Sequence, residues 1–413
     1  MQLKGKHILL GMSGGIAAYK AAELCRALVK QGASVQVVMT DAAQHFITAV
    51  TMQALSGRTV VTNQWDARIA NNMAHIELSR AADCILVAPA SADLLAKTAH
   101  GFADDLLSTL IVARQPSTPL LMCPAMNVEM WRAAPTQRNV AQLRADGVAL
   151  LGPGAGDQAC GETGDGRMLE PLEILADVIA FFEPKVLAGK RVVITAGPTY
   201  EPIDPVRGIT NLSSGKMGYA IAQAAREAGA QVTLVSGPVA LASPRGVAVV
   251  RVQSARDMLA AALSAMPGAD VFIAAAAVAD WRVANAADSK LKKEAGKAPA
   301  LEFVENPDIL ATIAKTAIAN KPYCVGFAAE SDNLIANATA KRVRKGVPLL
   351  AGNLGPATFG KDDNELILFD EHGHSALPRA DKLSLARGLV AEIARRLGLE
   401  AKVETMVEAK AVA

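Results

Sequence analysis

A glycine-rich turn near the start of the chain has the composition of a phosphate site. Residues 11–20 read Gly-Met-Ser-Gly-Gly-Ile-Ala-Ala-Tyr-Lys and follow an apolar run. Glycines let backbone N–H groups approach an anion, the Ser13 hydroxyl adds a donor, and a following helix presents its positive N-terminus. The pattern predicts that a phosphorylated ligand binds between a strand and a helix.

The spacing of this turn favours a mononucleotide over a dinucleotide. It is not Gly-x-Gly-x-x-Gly, and the next predicted strand ends at Thr40, where a dinucleotide fold usually places an acid for the ribose. Asp41 follows, but its carboxylate serves equally well as a cap for the next helix. A tight turn that only leads into a helix is the alternative interpretation of this motif taken alone.

A second phosphate-binding pattern is Asn211-Leu-Ser-Ser-Gly-Lys-Met-Gly218. It differs from a P-loop in its glycine spacing and in Met217, which stands where Ser or Thr would hold magnesium. The segment still offers hydroxyls, a backbone N–H and an ammonium at a predicted helix start, and a nearby arginine could add a bidentate contact. The residues expected to bind a substrate phosphate are Arg207, Ser213, Ser214, Gly215 and Lys216.

Two lysine clusters in the second half could neutralise further phosphates. Ser289-Lys-Leu-Lys-Lys293 is a basic loop, and Lys341 and Lys345 are spaced i, i+4 on one face of a predicted helix. For either cluster taken alone, a solvated charged surface is the alternative interpretation.

The elements that would hold these motifs alternate between strand and helix in both halves. The predicted strands are 7–10, 34–39, 84–88, 119–122 and 148–151 in the first half, and 192–195, 231–235, 271–276, 324–327 and 366–369 in the second. Helical patterns lie between them, so we expect an α/β fold with two tandem parallel-sheet domains. The expected boundaries are a domain at 1–183, a linker at 184–189, a domain at 190–398 and a loose tail at 399–413.

Size and composition agree with a globular protein of two domains. The chain has 413 residues, of which 51% are hydrophobic and 20% charged, and its net charge of +2 argues against a nucleic-acid surface. The longest uncharged apolar run, 271–279, is too short to cross a bilayer, and no signal-peptide pattern is present. The five cysteines form no Cys-x-x-Cys pair, so neither zinc nor disulfides are expected. These features predict a cytoplasmic protein.

Five motifs lie along the chain in the order found in one enzyme family. They are the isolated His75, Pro124-Ala-Met-Asn127 with Met130-Trp131, Cys160-Gly-Glu-x-Gly-x-Gly-Arg-Met168, Asn211-x-Ser-Ser-Gly-x-Met-Gly218 and Ser289-Lys-Leu-Lys-Lys293. Together they resemble the bacterial bifunctional phosphopantothenoylcysteine decarboxylase/phosphopantothenate–cysteine ligases, over roughly residues 5–397. The resemblance implies an N-terminal flavodoxin-like flavoprotein domain and a C-terminal Rossmann-like ligase domain.

For the first domain the resemblance implies an FMN-dependent decarboxylase. FMN would oxidise the thiol-bearing carbon to a thioaldehyde, so that CO₂ leaves beside a C=S group, and reduced flavin would return the hydride. His75 would be a base or orienting group, Asn127 would bind the substrate carboxylate, and Cys160 would donate the final proton from a flap. A structural histidine, a helix-capping asparagine and an inert cysteine are the alternatives for these three taken singly. FMN contacts would come from Gly11, Ser13, Gly14, Gly15, Thr40, Ser91 and Ala125.

For the second domain the resemblance implies a ligase that joins 4′-phosphopantothenate to L-cysteine through an acyl-cytidylate made from CTP. Lys290 would be the central cation of this activation, and Asn211 would contact the carbonyl of the acyl-cytidylate. Mg²⁺ would accompany the triphosphate, with protein ligands unknown. CTP contacts would also fall on Ala274, Ala275, Ala276, Asp280, Pro307, Asp308, Ile309, Leu310, Phe327, Lys341 and Lys345.

Two other classes of protein match parts of the sequence. A two-domain NAD-dependent dehydrogenase would need an acid after a second strand, and neither Thr40 nor Ser236 provides one. A regulatory nucleotide- or flavin-binding module would keep the glycine turns but would not use the candidate catalytic residues together. The resemblance also implies homo-oligomers, trimeric through the flavoprotein half and dimeric through the ligase half, hence a dodecamer.

Overall fold

The computed structural model describes residues 1–65, 73–292, 300–316, 322–354 and 361–399. Lys293 of the basic loop and residues 400–413 of the expected tail therefore lie outside the described residues. The chain separates into two compact units, Met1–Phe182 and Glu183–Ala413. No helix in the described stretches is both long and apolar enough to cross a membrane.

The first unit is built on a five-stranded parallel sheet in the order β2-β1-β3-β4-β5. This strand order is that of the flavodoxin-like doubly wound fold, and the prediction for this half is confirmed. The strands are β1 (His7–Met12), β2 (Ser34–Met39), β3 (Cys84–Ala90), β4 (Leu120–Pro124) and β5 (Ala149–Leu150). The helices are α1 (Ala18–Lys30), α2 (Asp41–Gln44), α3 (Ala49–Ser56), α4 (Ala74–Ala81), α5 (Ala92–His100), α6 (Leu106–Ala113), α7 (Val128–Arg132), α8 (Ala134–Ala145) and α9 (Pro171–Phe182).

Both faces of this sheet are buried, which explains why its strands are almost continuously apolar. Along β1, Ile8 and Leu10 belong to a core cluster with residues of α1 and α9, whereas Leu9 belongs to a second cluster with residues of α5 and α6. The alternation follows from the two-residue period of a strand. The sheet is therefore fixed between two helical layers, and its carboxyl edge is a rigid place to build a site.

A β-hairpin occupies the glycine-dense stretch that separates β5 from α9. Its strands are β6 (Gly154–Asp157) and β7 (Thr163–Arg167), paired antiparallel. Gly166 has a φ of +126°, and a Cβ there would stand 2.5 Å from the carbonyl oxygen of Met126. Only glycine allows so close an approach, so this residue lets the hairpin lie against the segment that begins α7.

The second unit is built on an eight-stranded sheet in the order β12-β11-β8-β13-β16-β17-β18-β19. The six strands from β12 to β17 are parallel, and numbering them along the chain gives 3-2-1-4-5-6, the Rossmann order, which confirms the prediction. The strands β17, β18 and β19 pair antiparallel at one edge, a detail that the alternation of elements did not reveal.

The strands of this sheet are β8 (Arg191–Ala196), β11 (Gln231–Ser236), β12 (Ala248–Arg251), β13 (Val271–Ala274), β16 (Tyr323–Glu330), β17 (Leu349–Leu354), β18 (Asp363–Asp370) and β19 (Gly373–Asp381). The helices are α10 (Lys216–Glu227), α11 (Ala255–Ala265), α12 (Ile309–Lys315), α13 (Leu334–Lys345) and α14 (Lys382–Arg396). Two small antiparallel pairs lie outside it: β9 (Tyr200–Pro202) with β10 (Gly208–Thr210), and β14 (Trp281–Val283) with β15 (Phe303–Glu305).

Apolar side chains at both ends of the second unit pack into its core. Leu187, within the stretch expected to be a linker, is 1% exposed, and its N–H donates to the carbonyl of Ala228. Leu399, at the start of the expected tail, is 8% exposed and belongs to the same core cluster. Both residues bury an apolar side chain, which a free linker or tail would leave in water.

Candidate active sites in the two units

The first unit has a cavity of about 650 Å³ at the carboxyl ends of β1, β3 and β4. Ligands bind at this edge in doubly wound folds, and the volume is that of a small-molecule or cofactor site. Among the predicted residues, those that line the cavity are Gly14, Gly15, Ser91, Ala125, Asn127 and Cys160. Gly11, Ser13, Thr40 and His75 do not line it.

The glycines of the first turn serve different purposes. A Cβ on Gly11 would stand 2.6 Å from Leu107 Cδ1, and one on Gly14 would stand 2.6 Å from Ala42 Cβ. A Cβ on Gly15 would meet nothing within 4 Å. Gly11 and Gly14 therefore permit close packing, while Gly15 leaves backbone open to a ligand at the cavity.

Ser13 supports the cavity wall from behind. The buried hydroxyl of Ser13 donates to the carbonyl of Pro89 at 2.8 Å and accepts from the backbone N–H of Ser91 at 2.8 Å. Ser91 in turn caps α5, because its hydroxyl accepts from the backbone N–H of Leu94. Ser13 thus fixes the end of β1 to the end of β3 and positions Ser91.

Thr40 and His75 lie elsewhere in the unit. Thr40 is the N-cap of α2, where its hydroxyl accepts from the backbone N–H of Ala43 at 3.2 Å, and Asp41 lies in the first turn. His75 is the second residue of α4 and is half-buried. Within one chain, neither side chain reaches the cavity.

Asn127 and Cys160 meet at the carboxylate of Glu162. Asn127 caps α7 by accepting from the backbone N–H of Met130 at 2.9 Å, and its amide Nδ2 donates to Glu162 Oε2 at 3.1 Å. The Cys160 thiol donates to the same oxygen at 3.4 Å. The two predicted catalytic side chains are therefore linked through one acid.

Cys160 differs from the other cysteines in exposure. All five cysteines lie within the described residues, and Cys160 is the exposed one. Burial raises the pKa of Cys25 to about 11 and that of Cys84 to about 12, so both remain thiols at neutral pH. Of the five cysteine thiols, only that of Cys160 is accessible to a reagent or substrate in the cavity.

The structure adds polar residues that the sequence reading missed. Lys20 lines the cavity and is only 6% exposed; its Nζ donates to the carbonyl of Met168 at 3.1 Å and pairs with Glu170 Oε1 at 2.7 Å. Arg167 also lines the cavity and pairs with Glu170. Lys20 is the last residue of the first glycine-rich motif, and Glu162 lies within the motif that begins at Cys160. Their positions inside these motifs could have indicated that they belong to the site.

The second unit has a cavity of about 460 Å³ at the carboxyl ends of β8, β13 and β16. Of the residues predicted to contact CTP, those that line it are Ala274, Ala276, Asp280, Pro307, Asp308, Ile309, Leu310, Phe327, Lys341 and Lys345. Ala275 and Lys290 do not line it, and the side chain of Lys290 is exposed. Thr195 and Asn306, which were not predicted, also line it.

Both lysines of this cavity are paired with acids. Lys345 Nζ donates to Asp308 Oδ2, and Lys341 Nζ lies 3.8 Å from Glu330 Oε1. Burial lowers the pKa of Lys345, while the charge of Asp280 opposes that shift. Asp308 also caps α12 through the backbone N–H of Ala311 at 2.9 Å. The cavity therefore holds two cations that an incoming phosphate could take from their present partners.

The second glycine-rich motif forms a compact turn before α10. Asn211 Nδ2 donates to the carbonyl of Ala277 at 2.5 Å, and Asn211 Oδ1 accepts from the N–H of Ser213 at 3.0 Å. Gly215 is the N-cap of α10 with a φ of +75°, and its N–H donates to the hydroxyl of Ser213 at 3.4 Å. Ser214 is half-buried in this turn. Lys216 Nζ pairs with Asp362 at 2.6 Å.

Arg207 holds the basic loop through Asp204. Its Nε and Nη2 donate to Asp204 Oδ2 at 3.0 and 2.5 Å, and Nη2 also donates to the carbonyl of Leu291 at 2.9 Å. The Leu291 N–H returns a hydrogen bond to Asp204 Oδ2 at 3.1 Å. Arg207 holds the pKa of Asp204 well below its usual range. This clasp fixes Leu291, the residue next to Lys290.

Metal binding has little support from side chains alone. Within the described residues, no group of three or more His, Cys, Asp or Glu could hold a metal ion. Asp280 is one of the acids that line the second cavity. Magnesium commonly binds through one or two carboxylates together with substrate phosphates, so the donor set suits a metal that arrives with a nucleotide.

Comparisons with known proteins match both units. Residues 1–183 match the Flavoprotein family, and residues 187–397 match the DNA/pantothenate metabolism flavoprotein C-terminal domain. The coenzyme A biosynthesis bifunctional protein CoaBC of Vibrio cholerae is 50% identical over 392 residues, covering 94% of this chain and 98% of its own length. That of Escherichia coli K12 is 47% identical over 402 residues, covering 96% and 98%.

A solved structure of the C-terminal domain of a coenzyme A biosynthesis bifunctional protein CoaBC is 39% identical, covers 52% of this chain and 98% of its own, and has a TM-score of 0.45. The full-length matches extend through both units at 47–50% identity. The chain therefore belongs to the family of coenzyme A biosynthesis bifunctional proteins.

Proposed function

We propose that the chain joins 4′-phosphopantothenate to L-cysteine at the expense of CTP and then decarboxylates the product to 4′-phosphopantetheine. The observation that carries the proposal is the meeting of Asn127 and Cys160 at one cavity, beside the backbone of Gly15 and Ser91. A carboxylate ligand and a proton donor are needed together for this decarboxylation, and a binding module would use neither.

The first cavity suits FMN as the cofactor. Its volume of about 650 Å³, the open backbone at Gly15 and the two helix starts after β1 and β3 fit a phosphorylated ring system. Bound there, FMN would accept and return the electrons that carbon–carbon cleavage requires. Asn127 would hold the carboxylate through Nδ2, Cys160 would protonate carbon, and Lys20 and Arg167 would supply positive charge.

The second cavity suits the nucleotide of the ligase. Lys341 and Lys345 would exchange their acid partners for the triphosphate, and Asp280 would be available to hold a Mg²⁺ that supplies further positive charge to the phosphates. Lys290, on the loop clasped by Arg207, would reach the α-phosphate during activation. Asn211 would contact the acyl-cytidylate carbonyl, and Ser213, Ser214, Gly215 and Lys216 the phosphate of phosphopantothenate.

We also propose the domain bounds, the assembly and the cellular location of the protein. The flavoprotein domain spans 1–183 and the ligase domain spans 190–398. Large apolar side chains are exposed around the first cavity, where Ile16 is 66% and Tyr19 63% exposed, which supports burial in a homo-oligomer. Trimers of the first half and dimers of the second would give a dodecamer. Five free cysteines fit a reducing, cytoplasmic environment.

The decarboxylase assignment is tested by colour and by gas release. The purified protein is expected to show the absorbance of oxidised flavin and to release CO₂ from phosphopantothenoylcysteine. A protein that remains colourless after incubation with FMN, or that releases no CO₂ when flavin is bound, would contradict the proposal.

A further inference from the structure

Glu162 presents a carboxylate to Asn127, the residue proposed above to bind the substrate carboxylate. The amide Nδ2 of Asn127 donates to Glu162 Oε2 at 3.1 Å, and the other amide atom is occupied in capping α7. The amide nitrogen of Asn127 carries two N–H groups, and in the structure one of them donates to the chain's own Glu162. A substrate acid bound to the same nitrogen would bring a second carboxylate beside Glu162, and because like charges at that distance repel, the substrate and Glu162 would compete for Asn127.

Glu162 also holds Cys160. The turn that closes the hairpin runs from Gln158 to Gly161, whose N–H donates to the Gln158 carbonyl at 2.9 Å. Cys160 lies in this turn, and its thiol donates to the same Glu162 oxygen that accepts from Asn127. The position of the thiol is thereby tied to the partner of the asparagine.

The hairpin keeps its place by contacts that do not involve the Glu162 side chain. Gln158 Oε1 accepts from the N–H of Val128 at 2.9 Å, and the N–H of Met126 donates to the carbonyl of Gly166 at 3.0 Å. These bonds hold the turn of the hairpin and β7 against the start of α7. Glu162 can therefore exchange its partner while the hairpin stays docked.

From this geometry we infer that Glu162 is a positioning residue that stands in for the substrate carboxylate before binding and after CO₂ has left. The inference rests on the proposed decarboxylation. The bound substrate takes Asn127 Nδ2 and leaves Glu162 with Cys160 alone. When the carbon–carbon bond breaks, the carboxylate departs as CO₂, and Asn127 recovers Glu162 as its acceptor. That return draws the Cys160 thiol toward the carbon that CO₂ vacated.

The atoms of this sequence balance with the proposed reaction. The thiol of Cys160 would give its proton to carbon and the resulting thiolate would regain a proton from water, while bound flavin would return to the substrate the two electrons it had taken up, as hydride. Glu162 changes partner but not its charge. This exchange of partners sets the order of the steps, because Cys160 approaches the substrate carbon only after decarboxylation has freed Asn127.

The test compares Glu162→Gln and Glu162→Ala with Thr163→Val. Thr163 donates to Asp157 at 2.8 Å in the same hairpin, so its variant removes a hairpin hydrogen bond without touching Asn127. For both Glu162 variants we expect CO₂ release to persist with an unchanged or lower KM, since the competing carboxylate is gone. The ratio of oxidised enethiol to saturated product should rise roughly tenfold, the size of one charge-assisted hydrogen bond. Thr163→Val should keep the wild-type ratio.

A second measurement does not depend on turnover. Alkylation of Cys160 in the substrate-free protein should be several-fold faster in Glu162→Ala than in wild type or Thr163→Val, because the thiol loses its nearer acceptor, the Glu162 carboxylate at 3.4 Å, and keeps only the longer contact to Gln158 Oε1 at 3.9 Å. Wild-type product ratio, KM and alkylation rate in both Glu162 variants would overturn the inference. Equal loss of CO₂ release and of saturated product would also overturn the inference, because that result would indicate a purely structural role for Glu162. Absence of CO₂ release by the wild type would instead contradict the proposed decarboxylation.

Discussion

At the scale of single residues, the first site depends on side chains that each satisfy a structural need as well. Asn127 caps a helix with one end of its amide and offers the other end to an acid. Losing a cap costs about 1 kcal/mol, so replacement by alanine would disturb α7 as well as substrate binding. Informative substitutions at this site therefore keep size and polarity.

Cys160→Ser is such a substitution. The serine hydroxyl retains the hydrogen bond to Glu162 but is a far weaker acid than a thiol, so protonation of carbon should fail after CO₂ has left. We expect CO₂ release within a few-fold of wild type and accumulation of the oxidised enethiol, read by mass spectrometry. Normal saturated product from this variant would refute the role of Cys160.

The sequence indicated which residues belong to the first site more readily than it indicated what each side chain contacts. Six of the predicted flavoprotein residues line one cavity. Five of them belong to motifs that follow three strands whose carboxyl ends meet, and the sixth, Cys160, lies in the β6–β7 hairpin. Ser13 and Thr40 instead satisfy backbone groups, at Ser91 and at the start of α2. A hydroxyl beside a glycine turn has the same sequence signal whether it binds a phosphate or caps a helix, so the sequence alone could not separate these cases.

At the scale of elements, the β6–β7 hairpin determines how closely Cys160 approaches Asn127. Gly166 allows β7 to pass within hydrogen-bonding distance of Met126, and a side chain there would clash with backbone that cannot move independently. The glycine-dense stretch was recognised in the sequence, but its strands were not, because glycine has low strand propensity and masks the usual alternation.

Gly166→Ala should displace the hairpin. The added Cβ meets the Met126 oxygen at 2.5 Å and the φ of +126° is strained for alanine, so we expect a loss of about 1–3 kcal/mol in the free energy of hairpin docking. Limited proteolysis between β6 and β7 should accelerate, and saturated product should fall at least tenfold.

Gly161→Ala provides the matched control for this substitution. Its φ of +86° is also unfavourable for alanine, but nothing lies within 4 Å of the added Cβ. A smaller effect is therefore expected. If both variants increased proteolysis equally, backbone strain alone would explain the result and the packing argument for Gly166 would be wrong.

At the scale of the whole molecule, each unit has its own sheet, its own core and its own cavity. The strand orders of both sheets could be anticipated from the alternation of elements and the family resemblance. The antiparallel pairing of β18 with β19 could not be anticipated, although a strand was predicted at 366–369, because the edge strand β19 is largely exposed and carries little apolar periodicity. The clasp of Arg207 on Asp204 was also unforeseen, since it joins segments 84 residues apart through Leu291.

Lys290→Gln tests whether the two activities are separable. Removing this cation should reduce ligation by at least two orders of magnitude, while decarboxylation of supplied phosphopantothenoylcysteine should be unchanged. Lys292→Gln is the matched control, because Lys292 is exposed in the same loop, and it should keep ligation within a few-fold. Loss of both activities in Lys290→Gln would indicate misfolding and would not support the catalytic assignment.

The most direct measurement is a single incubation of the full chain with 4′-phosphopantothenate, L-cysteine, CTP, Mg²⁺ and bound FMN, with products identified by mass. We expect 4′-phosphopantetheine together with CMP and pyrophosphate, and no 4′-phosphopantetheine when CTP is omitted. If phosphopantothenate were returned unchanged while the flavin-loaded, folded protein was present, the assignment of two successive reactions to this chain would be contradicted.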